Sequence, residues 1–597
     1  MATNPLLHET LSRRFGFNQF RPGQKEVIEA SLAGEDVLAV MPTGSGKSLC
    51  YQLPSLLLPG LTLVISPLIA LMKDQLDNLR AKDFGQATLL NSQINPNEYR
   101  QRMRGLLNGA FKLVYIAPER LRNRSFLELT KEIPLDLLVV DEAHCISQWG
   151  HDFRPDYLWI RNFYEQLPRR PRILALTATA TPEVQRDIRA QLGIPGAMVV
   201  AAGSDRPNLY ISAERVDGER EKQGSLREFL RRQPGSGIIY AATRRESEAV
   251  AAWVRDALEI SAECYHAGLS SERRSAVQEA FIKEEVRVVA ATNAFGMGID
   301  KANIRFVIHY SLPGSLEAYY QEIGRAGRDG LPAECRLLFS LKDKSLQEWF
   351  IDQSTVTRDD LNLFWRTCGR FVDGGRSVVP TAELERAGLS ETKQRLVVGM
   401  LERLQAIRLA DRDEDSLYVE PGKRPPPGAV EAALQEVENR SSHRKDKLAT
   451  VVNWANTTRC RRTMLLAYFG EESGGSAPRC CDNCLAAAAG EPELSREPLL
   501  VLACVRALPR GVGKKKLADI LRGANPPGLS AYGYNHLIYY RALGSRSGQA
   551  VLELIDRLLA DGHLTIEGRE YPVVALTAAG REALRKGKPG SPGPFSR

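Results

Sequence analysis

Residues 37–48 read VLAVMPTGSGKS, four apolar residues followed by a glycine-rich turn that ends on a lysine and a hydroxyl. The order suits a bound triphosphate. Gly44 and Gly46 let the backbone wrap N–H groups around phosphate oxygens, Lys47 neutralises them, and the Ser48 hydroxyl can ligate magnesium, with Thr43 and Ser45 filling the turn. Met41 stands where such loops usually begin with glycine, so the block draws its weight from two others in fixed order: DEAH at 141–144 and QEIGRAGRDG at 321–330. Asp141 directly follows the apolar run LDLLVV. There one carboxylate can hold magnesium through water while Glu142 orients the attacking water as catalytic base. His144 closes the block and is grouped with its catalytic residues. Arg325 and Arg328 are expected to act as arginine fingers from a second domain, with Gln321 beside the nucleotide and Gly324 and Gly327 permitting close approach. The blander readings are a pair of acids capping a helix and a glycine-rich surface turn. The shared order of the three blocks argues against both.

Outward from this loop, short apolar runs recur between amphipathic stretches. They are VLAV, LTLVIS, KLVYIA, LDLLVV and RILALTATA up to residue 180, then GIIYAAT, VRVVAATN, IRFVIHYS and CRLLFS after about residue 206. Such alternation predicts parallel strands joined by crossover helices, in two tandem α/β domains. Met41 follows VLAV, Asp141 ends LLVV and Thr177 ends ILAL, and the carboxyl ends of strands are where open parallel sheets gather ligand groups. Past about residue 356 the rhythm stops. Residues 381–420, TAELERAGLSETKQRLVVGMLERLQAIRLADRDEDSLYVE, read as two helices, a third element and a hairpin turning at 413–416, which is a winged-helix pattern. PGKRPPPG at 421–428 is a linker by composition. A long helical segment then leads to a cysteine cluster. After about residue 491 the winged-helix pattern repeats, with helices around 498–507, 514–522 and 531–543 and a hairpin turning at Gly568.

The expected division is two α/β domains at 1–205 and 206–355, a winged-helix-like insert and linker at 356–428, a helical cysteine-bearing domain at 429–490, a winged-helix domain at 491–585 and a disordered tail at 586–597. A chain of 597 residues, 43% hydrophobic, can bury several cores. Its apolar runs fall well short of the roughly 20 residues that span a bilayer, and MATNPLLHETLSRR lacks the apolar stretch of a secretory signal. The expectation is a cytoplasmic protein with no membrane partner. Ten cysteines are present and four fall between Cys460 and Cys484, which in a reducing compartment reads as metal binding rather than disulfides. Residues 491–597 carry 16 Lys and Arg against 10 Asp and Glu, most of the chain's net +8, so nucleic acid is the expected polyanion there.

With these blocks in hand, the sequence resembles the RecQ family of DNA helicases, in helicase superfamily 2. FGFNQFRPGQ at 15–24 is similar to the family's adenine-recognition motif, which implies that Phe17, Arg21 and Gln24 contact the base. CISQWGHDFRPDY at 145–157 resembles the family's aromatic-rich loop. Gln148, Trp149, His151, Phe153 and Arg154 are then implied to meet single-stranded DNA, with the rings stacking on bases and reporting to Asp141 nearby. A core role for Trp149 and Phe153 is the alternative. SPLIALMKDQ at 66–75, APERL at 117–121, LTATAT at 176–181 and TNAFGMGIDKANIRFVIHYSLP at 292–313 match further family blocks in order. The resemblance implies two tandem RecA-like parallel-sheet domains, then a helical zinc-binding domain and a winged-helix domain. It further implies ATP and Mg2+ as nucleotide and metal, and single-stranded and duplex or forked DNA as substrate, unwound in the 3′ to 5′ direction. A single-stranded-DNA-binding protein and other repair proteins are expected partners, at the nucleoid if the source is bacterial.

The cysteine cluster is the family's second signature. Cys460, Cys481 and Cys484 supply three thiolates for a structural zinc, the last two spaced as CDNC. Cys480 is the expected fourth ligand. It adjoins Cys481, and adjacent side chains diverge, so His443 or a three-cysteine site stays open as an alternative. In the last domain LRGANPPGLSAYGYNHLIYYRALGS at 521–545 resembles the family's winged-helix region, which implies Lys514, Lys515 and Lys516 on duplex phosphates and a hairpin tip bearing Arg569 and Tyr571 at the fork. The insert is a departure from simple family members, and no further helical domain is expected after residue 585. An RNA-directed motor or a non-catalytic scaffold is a rival reading. The aromatic-rich loop and zinc cluster oppose the first, and intact Lys47, Asp141, Glu142, Arg325 and Arg328 oppose the second.

Overall fold

The protein is described here by a computed structural model. It describes residues 5–67, 69–82, 84–91, 94–150, 152–296, 301–373, 376–412, 416–471, 479–488, 496–524, 533–567 and 572–586. The expectations at His151, Arg569 and Tyr571 and at the two hairpin tips fall outside these residues.

Seven parallel strands form the first sheet: β1 (Val37–Val40), β2 (Leu61–Ile65), β3 (Ala87–Leu90), β4 (Leu113–Ile116), β5 (Leu135–Val140), β6 (Arg172–Thr177) and β7 (Met198–Ala201), in the order β3-β4-β2-β5-β6-β1-β7. Six more parallel strands form the second: β8 (Leu209–Arg215), β9 (Ser236–Tyr240), β10 (Ala262–Tyr265), β11 (Val288–Ala291), β12 (Ile304–His309) and β13 (Ala333–Phe339), in the order β10-β11-β9-β12-β13-β8. Helices joining the strands cover the faces, which is why β1, β2, β4 and β5 are buried along their whole length and read as apolar runs broken only by Thr62 and Asp136. The architecture is the tandem α/β pair that the alternation predicts, RecA-like as the family resemblance implies.

Beyond the second sheet, residues 356–433 gather a separate core. A short antiparallel sheet, β14 (Val372–Asp373), β15 (Arg376–Pro380), β16 (Ile407–Arg412) and β17 (Ser416–Pro421), ordered β14-β15-β17-β16, packs with helices Arg358–Cys368, Thr381–Arg386 and Glu391–Arg403. The first of these helices opens on a capping box in which Thr357 and Asp360 exchange hydrogen bonds, and Lys393 pairs with Asp360 at 2.9 Å to tie it to the third.

The 28-residue helix Ala429–Asn456 then returns to the second sheet. Its Leu448, Val451, Trp454 and Ala455 join the core of the second sheet, together with Leu465 and Phe469 from the next helix, Arg461–Tyr468. Trp454 is 1% exposed, packs on the Tyr319 ring at 4.7 Å and donates its indole N–H to the Arg461 carbonyl at 3.0 Å. The cysteine turn closes the β8 edge. Ile211 N–H donates to the Cys480 carbonyl at 3.3 Å, and Ala213 N–H to the Asp482 carboxylate at 3.1 Å. An exposed strand edge is a template for unwanted pairing, and these contacts cover it.

The C-terminal module comprises helices Arg496–Ala507, Lys514–Arg522 and Gly548–Ala560, the hairpin β18 (Leu564–Glu567) and β19 (Val573–Leu576), and helix Ala578–Lys586. One expectation is corrected here. Residues 533–543 form no α-helix; a single 3-10 turn, Tyr534–His536, ends at Leu537, whose backbone is extended at ψ 139°, and Arg541 beyond it is left-handed at φ 64°. The third helix instead starts at Ser547, whose hydroxyl accepts from Ala550 N–H at 3.2 Å. Among the described residues no helix is long and apolar enough to cross a membrane.

Trp454→Ala removes the side chain that nails the long helix to the second sheet. The expected loss is about 3–5 kcal/mol, read as faster hydrogen exchange in β8 and residues 461–468 with β1–β6 unchanged; unaltered exchange at β8 would show that the helix is held elsewhere.

Candidate active site

The phosphate loop and the DEAH block lie where strands end. Met41 N–H continues the β1–β6 ladder to the Thr177 carbonyl at 2.9 Å, and Asp141 N–H continues β5–β2 to the Ile65 carbonyl at 2.9 Å. Met41 is fully buried, with Cys50 Sγ 3.8 Å from its sulfur, and its φ is not positive; a side chain therefore costs nothing at this first position of the loop. Gly44 and Gly46 do need their freedom, at φ 83° and 80°. At Gly46 a Cβ would also lie 2.6 Å from the Gln24 amide nitrogen.

That amide braces the loop from below. Gln24 Nε2 donates to the carbonyls of Ser45 at 2.9 Å and Gly46 at 3.0 Å, its Oε1 accepts from Arg21 N–H at 2.8 Å, and the Arg21 guanidinium bonds the Gly44 carbonyl. Gln24 is thus spent on the phosphate loop, in place of presenting a free edge to a base. Phe17 is half exposed at the cleft mouth, where the Lys82 ammonium lies 5.4 Å from its ring centre.

Asp141 and Glu142 stand across from Lys47. Glu142 adopts a left-handed backbone, φ 48°, which turns its carboxylate back toward the strand ends. It lies 3.4 Å from His144 Nδ1, and that nitrogen is 3.0 Å from the Thr177 hydroxyl, so the fourth residue of DEAH stands between Glu142 and the end of β6. Burial, reinforced by the Glu142 carboxylate, pushes the Asp141 carboxyl up to about 7 against the pull of Lys47. The Ser66 hydroxyl approaches it at 3.4 Å.

The second sheet supplies the opposite wall. A cavity of about 510 Å³ is lined by Lys47, Ser48, Asp141 and Glu142 from one side and by Gln321, Arg325 and Arg328 from the other, with Phe17, Arg21, Gln24, Thr43, Gly44 and Gly46 around the loop. Ser45 faces a smaller neighbouring cavity of about 250 Å³. A Cβ at Gly44 would meet the Arg328 stem at 3.2 Å, and one at Gly324 would meet Thr43 at 3.2 Å, so the two glycine-rich loops touch. The Arg325 guanidinium is 4% exposed and bonded to the Gly296 carbonyl.

Away from the cleft, the sulfurs of Cys460, Cys480, Cys481 and Cys484 all lie within 4.8 Å of one another, with Cys460–Cys480 at 3.5 Å and Cys480–Cys484 at 3.7 Å. Four thiolates about 2.3 Å from a tetrahedral zinc stand about 3.8 Å apart, so this set fits one ion. His443 is not a ligand candidate, because its ring packs on Trp149 at 5.0 Å.

Family models match the chain in the order of these modules: DEAD/DEAH box helicase at 21–188, helicase conserved C-terminal domain at 221–330, RecQ zinc-binding at 428–485 and RQC domain at 493–590. The ATP-dependent DNA helicase RecQ of Bacillus subtilis (strain 168) is 34% identical over 577 residues, covering 96% of this chain and 83% of the relative. The chain belongs to the RecQ family of ATP-dependent DNA helicases. The probable ATP-dependent DNA helicase RecS of the same bacterium is 37% identical over 80% of this chain and 92% of its own length. The RecQ helicase of Pasteurella multocida (strain Pm70) is 47% identical over 56% of this chain and 52% of its own. ATP is therefore the triphosphate of the cleft and zinc the metal of the four cysteines.

In this RecQ-family chain the aromatic-rich loop is tied to both the DEAH block and the zinc-binding module. The Tyr157 hydroxyl, fully buried, donates to the Asp141 carbonyl at 3.0 Å. Arg154 pairs with Asp152 at 3.0 Å and donates to the Pro67 carbonyl at 3.0 Å. Lys447 on the long helix donates to the Trp149 carbonyl at 2.6 Å and pairs with Glu317 at 2.5 Å, and Arg440 lies 5.5 Å over the Phe153 ring. Gln148, Trp149, Phe153 and Arg154 are all partly exposed. In the C-terminal module Lys514 pairs with Asp556 at 2.6 Å, Lys516 lies 5.1 Å over the Tyr534 ring and Lys515 is exposed.

Sequence reading passed over Tyr157, Lys447 and Arg206, which bridges the two sheets. Tyr157 lay inside a quoted motif and could have been asked what its hydroxyl bonds; the other two carry no local signal.

Metal analysis should find one zinc per chain, and Cys480→Ser should lose most of it; full retention in that variant would leave the ion on three sulfurs.

Proposed function

We propose that this RecQ-family helicase moves along single-stranded DNA in the 3′ to 5′ direction and unwinds forked duplexes and recombination or repair intermediates. What supports this reading above all is the cleft itself, where Lys47, Ser48, Asp141 and Glu142 from one sheet face Gln321, Arg325 and Arg328 from the other.

In the mechanism, Phe17 stacks on adenine, and Arg21 and Gln24 exchange their carbonyl partners on the phosphate loop for the base. Lys47 and the loop N–H groups hold the β- and γ-phosphates. Mg2+, held by the Ser48 hydroxyl and through water by Asp141, would neutralise phosphate charge and favour the ionised carboxylate. Glu142 takes the proton of the attacking water, and His144 fixes its orientation through Thr177. Arg325 and Arg328 stabilise the charge on the transferred phosphoryl group, which requires the second sheet to stay against the first. Hydrolysis releases that closure, and the relative motion of the two sheets becomes a step along DNA.

The DNA path in this reading runs over the aromatic-rich loop, where Trp149 and Phe153 stack on bases and Gln148 and Arg154 bind the strand. Base stacking there pulls on Tyr157, and through its hydrogen bond on the DEAH backbone. Exposed Lys515 is the first contact of the C-terminal module with duplex phosphates, while Lys514 and Lys516 trade their present partners for phosphate. The expected location is the cytoplasm, at the nucleoid in a bacterium, and single-stranded-DNA-binding and repair proteins are the expected partners.

Lys47→Ala tests the motor directly. ATP hydrolysis should fall by at least about 100-fold and unwinding of a 3′-tailed duplex should vanish while DNA binding persists; surviving unwinding would remove Lys47 from the mechanism. Unwinding of a 5′-tailed duplex in preference to a 3′-tailed one would reverse the proposed direction.

A further inference from the structure

Residues 202–208, AGSDRPN, join the last strand of the first sheet to the first strand of the second. The segment is lashed to the second domain: the Tyr320 hydroxyl donates to the Ser204 carbonyl at 2.5 Å, and the Asn208 amide donates to the carbonyls of Gly327 at 2.8 Å and Leu331 at 2.9 Å. Between them Arg206 bonds four carbonyls with one guanidinium. Its Nη1 donates to Thr43 at 3.2 Å and Gly324 at 3.1 Å, and its Nη2 to Ala326 at 2.8 Å and Gly327 at 2.9 Å.

The identity of those carbonyls matters more than their number. The Gly324 and Gly327 carbonyls belong to the peptide units whose nitrogens are those of Arg325 and Arg328. The Thr43 carbonyl belongs to the peptide unit that enters Gly44, at the crown of the phosphate loop. A planar guanidinium fixes the directions of its donors, so the four acceptors are held in one rigid arrangement. A lysine ammonium at this place is a point charge and cannot serve two pairs of carbonyls on separate nitrogens. The site is also costly enough to need a purpose: the guanidinium is desolvated, which lowers its pKa from the usual arginine value, and it is compensated by peptide dipoles.

We infer that Arg206 is a positioning residue for ATP hydrolysis, holding the peptide units that carry Arg325 and Arg328 at a fixed distance from the phosphate loop. Arg206 is not part of the lining of the larger cavity that holds Lys47 and Asp141; it lines the smaller one beside it. Three of its bonds lie within the second domain and one crosses to the first, so opening the cleft breaks the Thr43 bond and keeps the others. Arg206 therefore acts as a latch between the domains at the point where they are covalently joined. The inference rests on the reading of Arg325 and Arg328 as the charges that meet the transferred phosphoryl group.

The test uses the full chain with Arg206→Ala, Arg206→Lys, Arg325→Ala and the Arg206→Ala/Arg325→Ala double variant. Steady-state ATP hydrolysis, affinity for a fluorescent ATP analogue and the thermal midpoint are read on each. Arg206→Ala should lower kcat by about 100-fold, the cost of roughly an ångström of misplacement, with KM and analogue affinity within about threefold. Arg206→Lys, which keeps charge and stem, should also lose at least about 10-fold in kcat with a native midpoint. In the Arg325→Ala background the further loss should be clearly smaller than the loss Arg206→Ala causes in the native background, because one of the two groups that Arg206 positions is gone. A kcat within threefold of native in Arg206→Lys, or analogue affinity falling in step with kcat in Arg206→Ala, or full additivity in the double variant, would overturn the inference. If Arg325→Ala alone kept native kcat, the finger reading would fall instead.

Discussion

In-register pairing of parallel strands is the constraint on which this molecule rests. In the first sheet Val40 pairs with Thr177, Val140 with Ala175 and Ile65 with Val140, so the chain leaves β1, β5, β2 and β6 at one level. The phosphate loop, the DEAH carboxylates and the threonine that meets His144 emerge together for that reason. Because both faces of the sheet are buried, a one-residue slip would turn every side chain to the opposite face and separate these groups at once. Catalytic geometry here is a by-product of core packing.

A sheet that presents its chemistry at one rim needs a partner to complete it. The second sheet provides the arginines, and its own free edge creates a liability that the zinc-binding module removes by pairing Cys480 and Asp482 with β8. Zinc thereby serves the motor without taking part in its chemistry. It fixes the turn that covers the edge, and the two helices that precede that turn, through Trp454 and Leu465, are part of the core of the second domain. The same long helix reaches back over the aromatic-rich loop with Arg440, His443 and Lys447. One rigid element thus touches the second sheet, the zinc turn and the loop proposed to hold DNA.

How much of this could be read in the sequence follows from where each residue lies. The nine strands visible as apolar runs are the nine interior strands. The four that the rhythm passes over, β3, β7, β8 and β10, are the four sheet edges. Interior parallel strands are largely apolar on both faces, whereas LYISAER and AECY keep polar residues on a side that water or another module covers; composition does not set ATLL and MVVA apart from interior strands in this way. The phosphate loop, DEAH and GRAGR were legible because their chemistry demands particular residues in order. Arg206 was not, since its partners are carbonyls, and carbonyls have no sequence. The helix expected at 531–543 failed for a local reason, the extended backbone at Leu537 and the left-handed one at Arg541.

Central to the account is that DNA contact and ATP chemistry form one mechanical unit, joined where the Tyr157 hydroxyl meets the Asp141 backbone. The most direct measurement is ATP turnover by Phe153→Ala with and without saturating single-stranded DNA. The account predicts that the DNA-dependent increase in turnover is lost while the affinity for ATP is retained; a DNA-dependent increase equal to that of the unaltered protein would contradict it.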